Sequence, residues 1–190
     1  SLTLSSQVKL VEGIPQNFPF QYAFRVGEAL FVALDNTAAQ PWKDSTIEWL
    51  ESVFKKENAA RYKFIYGHIP LLPFAFKKER EYVARGNVSF LKEVEALFER
   101  YKVDAFFSGH SHVYYPGRRN AHTEYISVPL LGGGTRYIAS KKDLPRSQRG
   151  FLVIEFDQQG WRLKHHSSRD FSLIADSSFP EVVDLPASDT

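Results

Sequence analysis

Apolar and polar residues alternate in short blocks along the chain, and the blocks predict a strand–helix–strand–helix–strand series that closes in a hairpin. Phe20–Arg25 and Ala29–Leu34 are two β-prone runs separated by Val26-Gly27-Glu28, the pattern of an antiparallel pair. The second run ends in polar Asp35-Asn36-Thr37. Ser45-Thr46-Ile47-Glu48 has the form of a capping box and predicts a helix to about Asn58. Its Ile47, Leu50, Val53 and Phe54 share one face, and Glu51 and Lys55 are spaced to pair. Tyr62–Tyr66 is a further strand that runs into Gly67-His68-Ile69-Pro70. A second helix, capped by Asn87 and reaching about Lys102, turns Leu91, Val94, Leu97, Phe98 and Tyr101 inwards. Val103–Phe107 is a short interior strand closed by Gly109.

The remainder predicts a strand at Glu124–Val128, a tight turn at Gly132-Gly133-Gly134 and a loop over Thr135–Arg149. Gly150–Phe156 and Trp161–His166 form a closing hairpin through Asp157-Gln158-Gln159-Gly160. Residues 1–19 are expected to run extended over the surface. From Asp170 onward there are five acidic residues and no Lys or Arg. With Pro180 and Pro186, that composition separates an acidic tail, 170–190, from a domain spanning 1–169. The series implies a layered α/β fold in which the helices cross over parallel strands and the end is antiparallel.

Composition narrows the picture. A chain of 190 residues suits one domain and buries roughly 70% of its extended-chain surface. Its 43% hydrophobic and 24% charged residues are those of a soluble globular protein, and a net charge of +2 is too small to imply a polyanionic partner. No apolar stretch approaches the roughly 20 residues of a membrane span, and no secretory signal opens the chain. The absence of cysteine excludes disulfides and thiolate ligands, so a transition metal would be held by His, Asp, Glu or Asn. The compartment stays open. The chain also lacks methionine and begins Ser1-Leu2-Thr3-Leu4, so an upstream segment is expected to have been removed.

The candidate chemistry lies at two strand ends. Gly67-His68 and Gly109-His110-Ser111-His112 each follow a strand, with a helix of crossover length between them. A right-handed crossover sets successive parallel strands side by side, so both ends open on one edge. His68, His110 and His112 are then expected to converge, and imidazoles without carboxylates favour Zn, Fe, Mn or Ni over Mg or Ca. A single such histidine is more often a hydrogen-bonded loop residue, and it is the repeated Gly-His ending that raises the set above that reading. His165 and His166 alternate to opposite faces, which argues against joint ligation, and His122 has no partner pattern.

The stretch Phe20–Thr37, with Trp49-Leu50, Gly67-His68-Ile69-Pro70, Gly109-His110-Ser111-His112-Val113-Tyr114-Tyr115 and the Gly132–Gly134 run, resembles the calcineurin-like metallophosphoesterases, in particular the purple acid phosphatase branch. The resemblance covers roughly residues 18 to 166. It implies the C-terminal half of a four-layer α-β-β-α sandwich with mixed sheets. It also implies a metal-dependent phosphatase or phosphodiesterase with a dinuclear centre of two divalent or trivalent metals (Mn, Fe or Zn). His68 and His110 would ligate one metal and His112 the other.

The Asp-x-His, Gly-Asp and Gly-Asn-His motifs that such proteins carry ahead of this hairpin are not in the chain. Gly86-Asn87-Val88 only mimics the third, and helix capping accounts for it. The general acid and the bridging Asp are therefore expected upstream of Ser1. Alone, the chain would keep at most one weakly bound metal and be inactive. A half-sandwich also implies an exposed apolar face, hence pairing with the N-terminal half of the same protein or a homodimer. The substrate expected is a phosphate-ester small molecule. The alternative is a non-catalytic scaffold or partner-binding module derived from the same fold. Arg118-Arg119 read as exposed loop charges, and Tyr114 and Tyr115 either line a pocket or pack beneath the loop. Arg136, Lys141, Lys142, Arg146 and Arg149 read as a solvated loop or the rim of a phosphate-ester pocket, with a nucleic-acid role the weaker alternative.

Overall fold

A computed structural model describes residues 8–37, 43–72, 75–76, 91–116, 122–138 and 146–175. In chain order its elements are β1 (Val8–Leu10), β2 (Gln21–Val26), β3 (Ala29–Leu34), α1 (Asp44–Lys56), β4 (Tyr62–Gly67), β5 (Ala75–Phe76), α2 (Leu91–Tyr101), β6 (Ala105–Ser108), β7 (Glu124–Ser127), β8 (Tyr137–Ile138), β9 (Gly150–Asp157), β10 (Gly160–Ser167) and β11 (Leu173–Ile174). A mixed six-stranded sheet runs β1-β2-β3-β4-β6-β7, a three-stranded sheet runs β11-β10-β9, and β5 pairs with β8. The pairs β3–β4, β4–β6 and β6–β7 are parallel, whereas β1–β2, β2–β3 and the small sheet are antiparallel. This is the mixed α/β architecture expected from the sequence. No described helix is long and apolar enough to cross a membrane.

The large sheet buries both faces because side chains alternate along each strand. Leu30, Val32, Leu34, Ile65, Phe106 and Tyr125 face the helices, where Leu50, Val53 and Phe54 of α1 and Val94, Leu97 and Phe98 of α2 complete one core. Ala29, Tyr62, Phe64, Ala105, Phe107 and Ile126 face the other way and meet Leu152, Ile154, Trp161 and Leu163 of the small sheet. Continuous apolar runs such as Phe64-Ile65 are what a strand covered on both sides requires. The two helices are also tied at the surface, where Glu51 accepts from the Tyr101 hydroxyl at 3.0 Å and the Arg100 guanidinium at 3.1 Å, and pairs with Lys55 at 3.5 Å.

Several local details differ from the sequence reading. Helix α1 begins at Asp44 with Lys43 as its N-cap, and no side chain caps it. The capping box therefore does not form; Asp44 in the first turn complements the helix dipole instead. Strand β1 was not anticipated, because Val8 and Leu10 are exposed on an edge strand and carry no burial signal. Strand β8 lies in the stretch read as a loop, and β11 adds Leu173–Ile174 to the small sheet at the start of the stretch read as a tail. The Asn87 cap, Arg118, Arg119, Lys141 and Lys142 lie outside the described residues.

One part of the layering is incomplete. The small sheet covers β4, β6 and β7 but leaves an aromatic row on β2 and β3. The row runs from Phe18, just ahead of β2, through Tyr22, Phe24 and Phe31 to Phe64 of β4, which the small sheet buries, with successive centroids 4.9, 6.2, 5.3 and 5.4 Å apart. Between this row and Phe156 of β9 lies a cleft of about 770 Å³, rimmed by Arg61 and Asp157. Among the described residues, β9 pairs only with β10, so its other edge borders the cleft.

Candidate functional site

The parallel order β3-β4-β6 sets the C-terminal ends of three strands side by side, with Leu34 opposite Gly67 and Gly67 opposite Ser108. Each end turns into a polar segment: Asp35-Asn36-Thr37, Gly67-His68 and Gly109-His110-Ser111-His112. Such a row of carboxyl-end loops is where α/β sheets hold their ligands.

Asn36, only 2% exposed, organises the first two. Its side-chain oxygen accepts from the backbone N–H of both His68 and Ile69 at 2.8 Å, and its amide donates to the Ile69 carbonyl at 2.6 Å. A Cβ on Gly67 would stand 3.0 Å from this side chain, so glycine is what admits the amide. Asp35 steadies the strand end from the other side by accepting from the Thr37 hydroxyl (2.6 Å) and N–H (3.1 Å), bonds that hold its carboxyl below the usual range.

The third loop is fixed from several directions. Gly109 donates to the His68 carbonyl at 3.1 Å, and Val128 donates to the Ser108 carbonyl at 2.7 Å. The Ser127 hydroxyl donates to Val113 O at 2.8 Å, and Ser147 Oγ accepts from Tyr114 N at 2.7 Å. From above, Arg136 donates its guanidinium to His110 O at 3.1 Å and its backbone N–H to His112 O at 3.2 Å. These anchors hold His110 (φ 57°) and His112 (φ 56°) in the left-handed region. For non-glycine residues that conformation costs roughly 1–3 kcal/mol each and persists where surrounding contacts over-determine it.

The result is a close pair. Nδ1 of His110 lies 3.2 Å from Nε2 of His68, with the rings edge-to-face and centroids 5.1 Å apart. Two nitrogens bonded to one ion at about 2.1 Å stand roughly 3.0–3.4 Å apart at octahedral or tetrahedral angles. The pair therefore has the spacing of two ligands to a single transition metal. Burial, then the charges of His68, Arg136 and His112, hold the His110 imidazole below its ordinary pKa, which favours the neutral, ligating form. His112 sits on the same loop, near enough for its charge to act on His110. Among the described residues, however, no group of three or more His, Asp or Glu side chains is gathered to hold one ion.

The other sequence candidates sort by burial. Tyr114 and Tyr115, 0% and 3% exposed, pack beneath the loop rather than lining a pocket. His165 and His166 do face opposite ways: His165 is buried against Tyr114 (4.1 Å between centroids), and His166 stacks on Phe151. His122 lines a separate cleft with Asp104 and Trp161 at the opposite end of the strands. Asn36 was passed over as a polar strand end; its only sequence signal was its place at the same kind of strand terminus as the two histidine motifs.

Residues 19–114, half of the chain, match the family described as calcineurin-like phosphoesterase. Three solved structures share the fold. GAP50, described as the anchor in the inner membrane complex of Plasmodium, is 20% identical with a TM-score of 0.56, covering 82% of this chain and 51% of its own. A purple acid phosphatase from seeds of yellow lupin (Lupinus luteus) is 15% identical with a TM-score of 0.54, covering 81% and 31%. A dimetal phosphatase from Danio rerio is 11% identical with a TM-score of 0.51, covering 81% and 60%. The chain thus spans between about a third and three fifths of the proteins it resembles. On the family match and the shared architecture, the chain belongs to the calcineurin-like phosphoesterases.

Proposed function

We propose that this chain supplies the histidine side of a metal-dependent phosphoric ester hydrolase, with His68 and His110 on one metal and His112 on a second. The observation that carries the reading is the 3.2 Å approach of the His68 and His110 nitrogens. His112, on the same loop as His110, is assigned to the second ion by the likeness to the family. When bound, a pair of Mn, Fe or Zn ions supplies Lewis acidity toward a phosphoryl oxygen and activates water near neutral pH. The chain's own residues do the positioning. Asn36 aims His68, Gly109 locks the two loops together, and burial favours the neutral form of His110. The substrate is a phosphate-ester small molecule, and the ligands and general acid that complete the centre come from elsewhere in the assembled protein.

The aromatic row on β2 and β3 and the open edge of β9 support a partner as well: further polypeptide of the same protein, or a second copy, covers them. A second reading, a non-catalytic scaffold, draws on the likeness to GAP50, described as an anchor. Hydrolysis of p-nitrophenyl phosphate and its bis ester with Mn, Zn or Fe, by the protein its gene encodes, separates the two. Metal-dependent turnover lost in His110→Ala supports the hydrolase. Absence of turnover with every metal supports the scaffold.

A further inference from the structure

The arginines of this protein differ in what they face. Arg25, Arg61, Arg100 and Arg162 each pair with a carboxylate: Glu57, Glu28, Glu51, and Glu155 with Asp157. Arg146 stacks over Tyr137 at 5.5 Å and donates to Thr135 O. Arg136 does neither. It is half-buried, and one guanidinium nitrogen donates to His110 O at 3.1 Å. Among the described residues, no carboxylate meets it and its remaining donors take no protein acceptor. Its positive charge instead stands beside His110, where it disfavours a charge on that imidazole.

A half-buried arginine with no counter-charge among the described residues, tied by its backbone N–H to His112 O and by one guanidinium nitrogen to His110 O, suits a planar, bidentate recognition of an oxyanion. The tether to His110 O keeps it at the mouth of the histidine site. The Gly132-Gly133-Gly134 run just before it is exposed. We propose that Arg136 is a substrate-contacting residue that offers its free N–H donors to the non-bridging oxygens of a phosphoryl group seated at His68 and His110. This rests on the hydrolase reading above. It adds that the group is gripped from the β7–β8 connection, and that an anionic, tetrahedral oxyanion is the species selected.

The test is calorimetric titration of inorganic phosphate into the metal-loaded full-length protein, with metal content measured in parallel for wild type, Arg136→Gln, Arg136→Lys and Arg146→Gln. The expected result is metal retained throughout, phosphate affinity reduced at least about tenfold in Arg136→Gln and less in Arg136→Lys, and Arg146→Gln like wild type. Phosphate affinity unchanged in both Arg136 variants overturns the proposal and leaves the hydrolase reading standing. Metal lost from both assigns Arg136 to holding the loop, which also overturns it. Failure of the metal-loaded wild type to bind phosphate overturns the proposal together with the reading beneath it.

Discussion

The buried amide of Asn36 closes three hydrogen bonds with the turn that begins at His68, at 2.6–2.8 Å, and so fixes where that imidazole stands relative to His110. Asn36→Ala removes the partner of two N–H groups and a carbonyl at a part-buried turn, at a cost of roughly 1 kcal/mol for each bond lost where water can take its place. The expected outcome in chemical denaturation is a loss of several kcal/mol, accompanied by weaker metal binding. Gly67→Ala acts on the same amide through a Cβ that must displace it.

A second constraint lies beneath the histidine loop. A Cβ on Gly150 would collide with the His166 carbonyl and the His165 ring, and His165 in turn packs on Tyr114. The carbonyl belongs to the paired strand and cannot swing aside. Gly150→Ala should therefore lower the thermal midpoint by many degrees or abolish soluble expression, whereas Gly132→Ala, in open space, leaves it unchanged.

His165 makes stability pH-dependent. Burial lowers its pKa to about 4, against an ordinary value of 6.5. Between those values the unfolded chain binds a proton that the folded chain does not, so stability is full above pH 6.5 and falls as the pH drops toward 4. At about 1.4 kcal/mol per pKa unit, the loss is on the order of 3 kcal/mol. Urea unfolding at pH 7.0 and pH 4.5 checks it, and His165→Gln flattens the difference.

The aromatic row predicts association. The isolated chain should sediment as an oligomer or bind a hydrophobic dye, and Phe24→Lys with Phe156→Lys should shift it toward monomer. A monomeric, dye-silent chain would count against a covered face.

Much of this arrangement was readable beforehand. The parallel core strands are continuous apolar runs and the hairpins carry glycine-containing turns, so β2, β3, β4, β9 and β10 follow from local pattern. The juxtaposition of His68 and His110 followed from crossover handedness. What escaped has a common physical origin: it depends on contacts distant in sequence. β1 exists because β2 offers it an edge, β8 because β5 reaches it, and Asn36 matters only once β3 and β4 are neighbours. Arg136 looked like one of several loop cations until its bond to His110 O set it apart.

The central claim is that two imidazoles at adjacent strand tips share one ion. Titrating Zn or Mn into the metal-free chain, with His68→Ala and His110→Ala alongside, addresses it directly. The account predicts one weakly held equivalent per chain in the wild type and its loss in either variant. Undiminished binding in the double variant, or none in the wild type at millimolar metal, would contradict it.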